Sequence, residues 1–170
     1  MSNQKPFKLR ISDLDNAARI SREWATHTVS ILDTDLAKKT IDIVDSFYEQ
    51  RIPQPSPGML LHRCHFDDVT PEDDFGLIAT LEDIKAILQF TVKLTTPDKL
   101  LVHCGAGISR STAVACGILC QHGLSPKEAL KMVCLLRQGA YPNDYIITLM
   151  DEALELKGLL KKTLYGMFDY

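Results

Sequence analysis

The chain has 170 residues, a formal net charge of −3 and 45% hydrophobic residues. A chain of this length can bury about two-thirds of its unfolded surface in one core, so a single domain over residues 1–170 is expected. The chain has no run of about 18 apolar residues, which excludes membrane insertion, and its N-terminus is polar, which excludes a secretion signal. Its mildly acidic charge excludes a general positive field for nucleic acid. A cytoplasmic location is therefore predicted.

The first fifty residues alternate between strand and helix patterns. Residues 7–11 and 28–32 have strand patterns, and the stretch from Asp13 to Trp24 between them indicates a helix. The apolar spacing from Leu36 to Tyr48 predicts a second helix. The prolines between Pro53 and Gly58 then predict a loop, because proline and glycine interrupt regular structure.

A strand, an acidic loop and a helix are predicted next. The strand covers residues 59–66 and is followed by the acidic loop, residues 67–74, which contains five carboxylates. Thr80 and Asp83 have the spacing of a capping box, so a helix is expected to begin near Thr80. One face of that helix is apolar. Its members are Ile84, Ile87, Leu88 and Thr91.

The second half of the chain contains one short apolar strand and three helix patterns. The run Leu100 to Val102 is typical of a central strand that is covered on both faces. Helices are predicted over residues 111–119, over 129–137 after the capping sequence Ser125 to Glu128, and from about Asn143 to Leu160. The fold class is therefore α/β, a mainly parallel central sheet between layers of helices, which is a three-layer sandwich.

The segment from His103 to Ser111, here called the cysteine loop, joins the apolar strand to a helix. Backbone N–H groups of such a loop, together with the positive end of the helix, form an anion site. Gly105 and Gly107 allow close approach of a ligand, and the guanidinium of Arg110 can hold two phosphoryl oxygens. The same positive environment favours the thiolate of Cys104, so the loop can both bind a phosphate dianion and attack it.

Roles follow for the rest of the cysteine loop. Ser111 can hydrogen-bond the sulfur and help it leave as a thiolate, and His103 is expected to order the loop rather than act as a base. A lone cysteine at the end of a strand is usually an inert core residue, and only its neighbours overturn that interpretation. The residues expected to bind phosphate are Gly105, Ala106, Gly107, Ile108, Ser109 and Arg110.

The cysteine loop resembles the signature HCxxGxxR[S/T] of the cysteine-dependent protein tyrosine phosphatase superfamily. The matching residues are His103, Cys104, Gly107, Arg110 and Ser111. The short chain is similar to dual-specificity members, and the variant HCxAGISRST to small bacterial ones. The Pro-Asn pair that opens a late helix in the dual-specificity branch is matched by Pro142 and Asn143. The resemblance implies one phosphatase domain, in which Asn143 either orders the site or only caps its helix.

Hydrolysis of a phosphate monoester also needs an acid that protonates the leaving oxygen. The acidic loop is the place to look, and it resembles the general-acid loop of the family, where the donor lies two residues after an inward apolar residue. Asp68 is then the expected acid and Asp67 the alternative. Three further carboxylates of the loop stay open as competitors. They are Glu72, Asp73 and Asp74.

Metal and disulfide chemistry are not expected. The five cysteines are odd in number and form no CxxC pair, and His62, Cys64 and His65 alternate along a strand, where neighbours point to opposite faces. We therefore expect no metal and no other cofactor. Oxidation of Cys64 with Cys104, which occurs in some relatives of the family, stays open.

The predicted function is hydrolysis of phosphate monoesters through a phosphocysteine intermediate. Phosphotyrosine on protein is the first substrate, with phosphoserine and phosphothreonine as further candidates. A phosphoinositide or inositol phosphate is an alternative, although the acidic chain has no lysine in the cysteine loop. A non-catalytic module that binds phosphoresidues is the other alternative. The expected partner is a phosphorylated protein or peptide, with no nucleic acid and no membrane insertion, and the sequence indicates no oligomeric state.

Overall fold

A computed structural model describes residues 6–35 and 50–170 of the chain. Its sheet has four strands, all parallel, in the order β1-β4-β2-β3. The strands are β1 (Lys8–Ser12), β2 (His27–Leu32), β3 (Leu60–His65) and β4 (Lys99–His103). The apolar strand β4 lies between two others, as its continuous run of buried residues predicted. The helix predicted over Leu36 to Tyr48 lies within residues 36–49, outside the described part of the chain.

Helices flank this sheet, and their first turns follow the capping signals in the sequence. They are α1 (Leu14–Glu23), α2 (Leu81–Thr91), α3 (Arg110–Gln121), α4 (Pro126–Leu136), α5 (Asp144–Ala153) and α6 (Leu159–Met167). Both predicted capping boxes are present, with Thr80 at the start of α2 and Ser125 at the start of α4. Over residues 6–35 and 50–170, no helix has the length and apolar character that crossing a membrane requires.

The two faces of β4 carry different layers of the protein. Leu100 and Val102 belong to the main hydrophobic core, which also includes residues of α2 to α6. Leu101 is equally buried but points to the other face, because side chains alternate along a strand. Helix α1 contacts β4 on this other face. Oγ of Ser21 in α1 lies 3.0 Å from Oγ1 of Thr28 in β2. The α/β class with a parallel sheet between helices is therefore confirmed.

The prediction of one last helix from Asn143 to Leu160 is wrong. The chain forms α5 and α6 with a break at residues 154–158, where Glu155, Lys157 and Gly158 have positive φ angles of 54°, 56° and 81°. The buried carboxylate of Asp151 accepts hydrogen bonds from the backbone N–H groups of Gly158, Leu160 and Lys161. A carboxylate that caps the next helix stabilises the break.

Candidate active site

Each of the four strands is followed by a polar or reactive residue at the same edge of the sheet. Asp13 follows β1, Asp33 follows β2, the pair Asp67 and Asp68 comes shortly after β3, and Cys104 follows β4. Carboxyl ends of parallel strands meet at one edge, where ligands bind in open α/β sheets. The topology thus collects the predicted nucleophile and the predicted acid on one side of the molecule.

The sulfur of Cys104 lies inside the cysteine loop and is almost completely buried. The backbone N–H of Gly107 donates to Sγ at 3.3 Å, and Sγ lies 3.2 Å from Oγ of Ser111. Ser111 is in the first turn of α3 and is also buried. The two predicted roles, a nucleophile and a hydroxyl beside it, therefore fall on atoms in direct contact.

The carbonyl groups of the cysteine loop are held from outside. Leu14 N donates to the carbonyl oxygen of Gly105, and Arg137 Nη2 donates to that of Ala106. Tyr141 N donates to the carbonyl oxygen of Ile108, and Asn143 N donates to that of Ser109. These bonds span 2.8 to 3.2 Å. In a planar trans peptide the C=O and the following N–H point in opposite directions, so a carbonyl bound outward turns the following N–H inward. The N–H of Gly107, which follows the carbonyl of Ala106, points to Sγ in this way. The loop is thereby prepared for an anion.

Gly107 is required both by its backbone angle and by its packing. Its φ is +70°, and an added Cβ would lie 2.6 Å from the carbonyl carbon and oxygen of Ser12. A side chain at this position would be strained and would push the loop away from the end of β1. This explains why the glycine of the signature stands here.

Arg110 lies beneath the loop with its side chain only 6% exposed. Its Nη1 donates to the carbonyl oxygen of Phe66 at 2.8 Å and forms an ion pair with Asp33 Oδ1 at 2.6 Å. The Asp33 side chain is 45% exposed and thus reaches solvent at the edge of the site. Sequence reasoning missed Asp33; its one signal is its place directly after a buried strand that pairs with β4.

His103 is buried and neutral beneath the site. Its Nε2 lies 2.7 Å from Ser30 Oγ, and its Nδ1 lies 3.4 Å from the carbonyl oxygen of Cys104. Burial lowers the pKa of His103 to about 4, and the positive charge of Arg110 acts in the same direction. The contact of His103 with Ser30 joins β2 to the residue that precedes Cys104, and the ordering role of His103 stays a prediction.

Asp68 bridges the acidic loop to the cysteine loop. Its Oδ1 accepts hydrogen bonds from Ser109 Oγ at 2.7 Å and from Asn143 Nδ2 at 3.0 Å. The same Asn143 side chain also caps α5, because its Oδ1 accepts from the N–H of Ile146. The cap is present, and the role of Asn143 in ordering the site stays a prediction. The Asp68 side chain itself is exposed to solvent.

The alternative acid, Asp67, has a different environment. Its carboxylate accepts the N–H and the hydroxyl of Thr34 at 2.9 and 2.6 Å and the N–H of Leu77 at 2.7 Å. Burial raises the pKa of Asp67, but these hydrogen bonds and the charge of Arg110 outweigh burial and lower it below its usual value. A carboxylate that accepts three hydrogen bonds is held in its ionised form.

The remaining acidic residues of the loop are exposed, and one of them organises a local turn. Asp73 Oδ2 accepts from the N–H of Thr70 at 2.7 Å. Glu72 and Asp74 point to solvent. Among the five carboxylates of the loop, all within the described residues, Asp68 is the one that hydrogen-bonds the cysteine loop.

Two further positions concern the predictions about cysteine and metal. Cys64 on β3 is buried with its Sγ 3.7 Å from the carbonyl oxygen of Ser30, and burial raises its pKa to about 12. An inert structural thiol has these properties. In the described ranges 6–35 and 50–170, no group of three or more His, Cys, Asp or Glu side chains is arranged to hold a metal ion.

Comparisons with known proteins identify the fold. No protein-family model matches the chain, and no curated protein sequence matches it. Several solved structures match its fold. Human DUSP28 is 25% identical with a TM-score of 0.58, covering 88% of this chain and 92% of its own. DUSP15 is 22% identical with a TM-score of 0.58, covering 99% and 96%. PTPMT1 in complex with PI(5)P is 16% identical with a TM-score of 0.53, covering 94% of each chain. The chain therefore has the fold of the dual-specificity phosphatases DUSP28 and DUSP15, to which it is similar.

Proposed function

We propose that the chain is a phosphatase that hydrolyses phosphotyrosine on proteins, and that Cys104 is its nucleophile. The sulfur attacks phosphorus, so that an S–P bond forms while the P–O bond to the leaving group breaks. The inward N–H groups of the cysteine loop and the guanidinium of Arg110 stabilise the charge on the transferring phosphoryl group. The neighbouring structures are phosphatases, which supports phosphate-ester hydrolysis in general.

In this proposal Asp68 transfers the proton in both halves of the reaction. It protonates the leaving oxygen as the P–O bond breaks, and its carboxylate then accepts a proton from the attacking water. The water oxygen forms a new P–O bond, the S–P bond breaks, and inorganic phosphate leaves. Ser111 Oγ and the Gly107 N–H stabilise the departing thiolate, since both lie within 3.3 Å of Sγ.

One observation carries the proposal. The predicted nucleophile, its hydroxyl partner and the arginine are buried side by side, while Asp68 contacts the same loop through Ser109. A structural cysteine needs neither an inward-facing loop nor a carboxylate at its rim. The arrangement has one coherent use, in-line displacement at phosphorus with a proton donor at the mouth of the site.

The test is hydrolysis of p-nitrophenyl phosphate and of phosphotyrosyl peptides, with vanadate as inhibitor. We expect turnover in both assays, a ³²P-labelled phosphocysteine in rapid-quench samples, and no turnover for Cys104→Ser. Cys134→Ser is the matched control, since it makes the same substitution at a half-buried thiol of α4 and should keep the activity. Full activity of Cys104→Ser would overturn the nucleophile assignment.

The same assay separates the alternative functions. A non-catalytic binding module would bind phosphotyrosine without turnover. A phosphoinositide phosphatase would hydrolyse PI(5)P, the lipid bound in the PTPMT1 structure, faster than any phosphopeptide. Asp33 beside Arg110 favours a single phosphate over a polyanion, because an added negative charge would meet this carboxylate.

A further inference from the structure

A second surface site lies at the C-terminal end of the described chain. It is a cavity of about 430 Å³, here called the aromatic pocket. Its lining consists of Asp144, Tyr165, Phe168, Asp169 and Tyr170. The ring of Tyr170 packs edge-on against those of Tyr165 and Phe168, at centroid distances of 5.5 and 6.2 Å. The cavity has the volume of a small-ligand site.

The walls of the aromatic pocket combine π-faces with negative charge. Asp144 Oδ2 accepts the hydroxyl proton of Tyr165 at 2.9 Å. Burial, this hydrogen bond and the charges of Asp144 and Glu72 raise the pKa of the Tyr165 hydroxyl. Glu72 of the acidic loop therefore adds its field to that of Asp144 and Asp169. Lys161 Nζ lies 5.7 Å from the centre of the Tyr165 ring, so this ring already makes a cation–π contact with a lysine of the chain.

The aromatic pocket borders the candidate active site. Asp144 directly follows Asn143, which hydrogen-bonds Asp68. The hydroxyl of Tyr170 donates to the carbonyl oxygen of Pro142, so the end of the chain is tied to the same segment. Since an extended peptide spans about 3.3 to 3.6 Å per residue, a side chain a few positions from the reacting group can enter the pocket.

We propose that the aromatic pocket binds a lysine or arginine side chain of the protein substrate, a few residues away from its phosphorylated residue. This inference rests on the proposed function. Aromatic faces attract an ammonium or guanidinium group, and the carboxylates around them add charge complementarity. An acidic side chain would be repelled by the same carboxylates, and an apolar one would bury them without a partner.

The experiment uses phosphotyrosyl peptides that differ at one position only. Lysine, glutamine or glutamate is placed in turn at each position from four before to four after phosphotyrosine. Wild-type protein should show a kcat/KM about five- to tenfold higher for lysine than for glutamine at one or two neighbouring positions, mainly through KM. Glutamate at the same positions should lower it. The preference should shrink as salt increases, because the carboxylates are exposed.

Asp144→Asn is the variant that tests the location. It should reduce the lysine-to-glutamine ratio to less than about twofold, because one of the charges beside the rings is lost. Glu152→Gln is the matched control, with the same charge change about 12 Å further along the same helix, and it should keep the ratio. Because the readout is a ratio within each variant, a general loss of activity does not affect it.

The outcomes separate the inference from the function. Equal turnover of lysine, glutamine and glutamate peptides at every position would overturn the inference and leave the phosphatase proposal intact. An unchanged lysine preference in Asp144→Asn would also overturn it, by placing the cation elsewhere. Hydrolysis of p-nitrophenyl phosphate with no turnover of any phosphopeptide would overturn the protein substrate and the inference with it. No hydrolysis of either substrate would overturn the proposed function itself.

Discussion

The two loops that form the candidate site are built in opposite ways. The cysteine loop is buried, and donors from α1 and from residues 137–143 hold its carbonyls before any ligand arrives. The acidic loop is exposed over residues 71–74 and is tied to its surroundings mainly through Asp67 and Asp68. Binding an anion needs dipoles fixed in advance, because reorienting them would cost free energy during the reaction. In the proposed mechanism, proton transfer to a leaving group of variable shape takes place instead at the exposed Asp68.

The sharpest test of this comparison replaces each of the two neighbouring carboxylates, Asp67 and Asp68, by an amide in turn. Asp68→Asn removes the proposed proton donor and should lower kcat/KM on phenyl phosphate about 10²- to 10³-fold. The kcat/KM for 2,4-dinitrophenyl phosphate should fall far less, because this parameter reports only the formation of the phosphocysteine and this leaving group departs without a proton. Asp67→Asn should instead lower the free energy of unfolding by about 1–3 kcal/mol, since an amide cannot accept all three bonds. Steady-state kinetics and urea unfolding measure the two effects.

The opposite pattern would contradict the division between the two residues. If Asp67→Asn lost activity selectively on phenyl phosphate and Asp68→Asn did not, Asp67 would be the acid. Asp73→Asn serves as control for a charge change elsewhere in the acidic loop. It should leave the ratio of the two substrates unchanged.

The cysteine loop was predictable from sequence because its chemistry requires consecutive residues. Strand β4, Cys104, Gly107 and Arg110 follow one another within a single strand–loop–helix unit, so spacing alone places them together. Local signals also predicted the starts of α2 and α4, where Thr80 and Ser125 form capping boxes. The parallel sheet followed from alternation of strand and helix patterns.

Other features depend on contacts between distant segments, which no local pattern records. The pair of Asp33 and Arg110 joins residues 77 positions apart, and Arg137 reaches Ala106 from after α4. The break between α5 and α6 was missed because its leucines continue the apolar pattern. Gly158 was the available signal, since glycine tolerates the positive φ found there.

A second prediction concerns the buried side of the comparison. The pKa of His103 is about 4 in the folded protein and about 6.5 in an unfolded chain, so between these values the unfolded chain binds more protons. Its contribution to stability is therefore complete above about pH 6.5 and is lost as the pH falls toward 4. Urea unfolding should show a free energy lower at pH 5 than at pH 7 by about 2 kcal/mol from this residue.

Variants assign this pH dependence to its source. His103→Asn should remove most of the difference between pH 5 and pH 7. His65→Asn is the control, because burial and the charge of Arg63 lower its pKa in the same direction, but the site is less buried and its share is smaller. An unchanged slope in His103→Asn would show that His103 binds as many protons in the folded protein as in the unfolded chain, which would contradict the lowered pKa.

The smallest expected effect tests the segment that connects the two loops. Asp33 pairs with Arg110 of the cysteine loop, and the adjacent Thr34 donates twice to Asp67, just before Asp68. Because the Asp33 carboxylate competes with a phosphate for the same guanidinium, Asp33→Asn should tighten competitive inhibition by inorganic phosphate about three- to tenfold. Asp35→Asn, the same charge change two residues on, should have little effect. The gain should shrink at high salt, since Asp33 is partly exposed. Weaker phosphate binding in Asp33→Asn would mean that Asp33 chiefly positions Arg110, so that the cysteine loop is not complete without a residue from after β2.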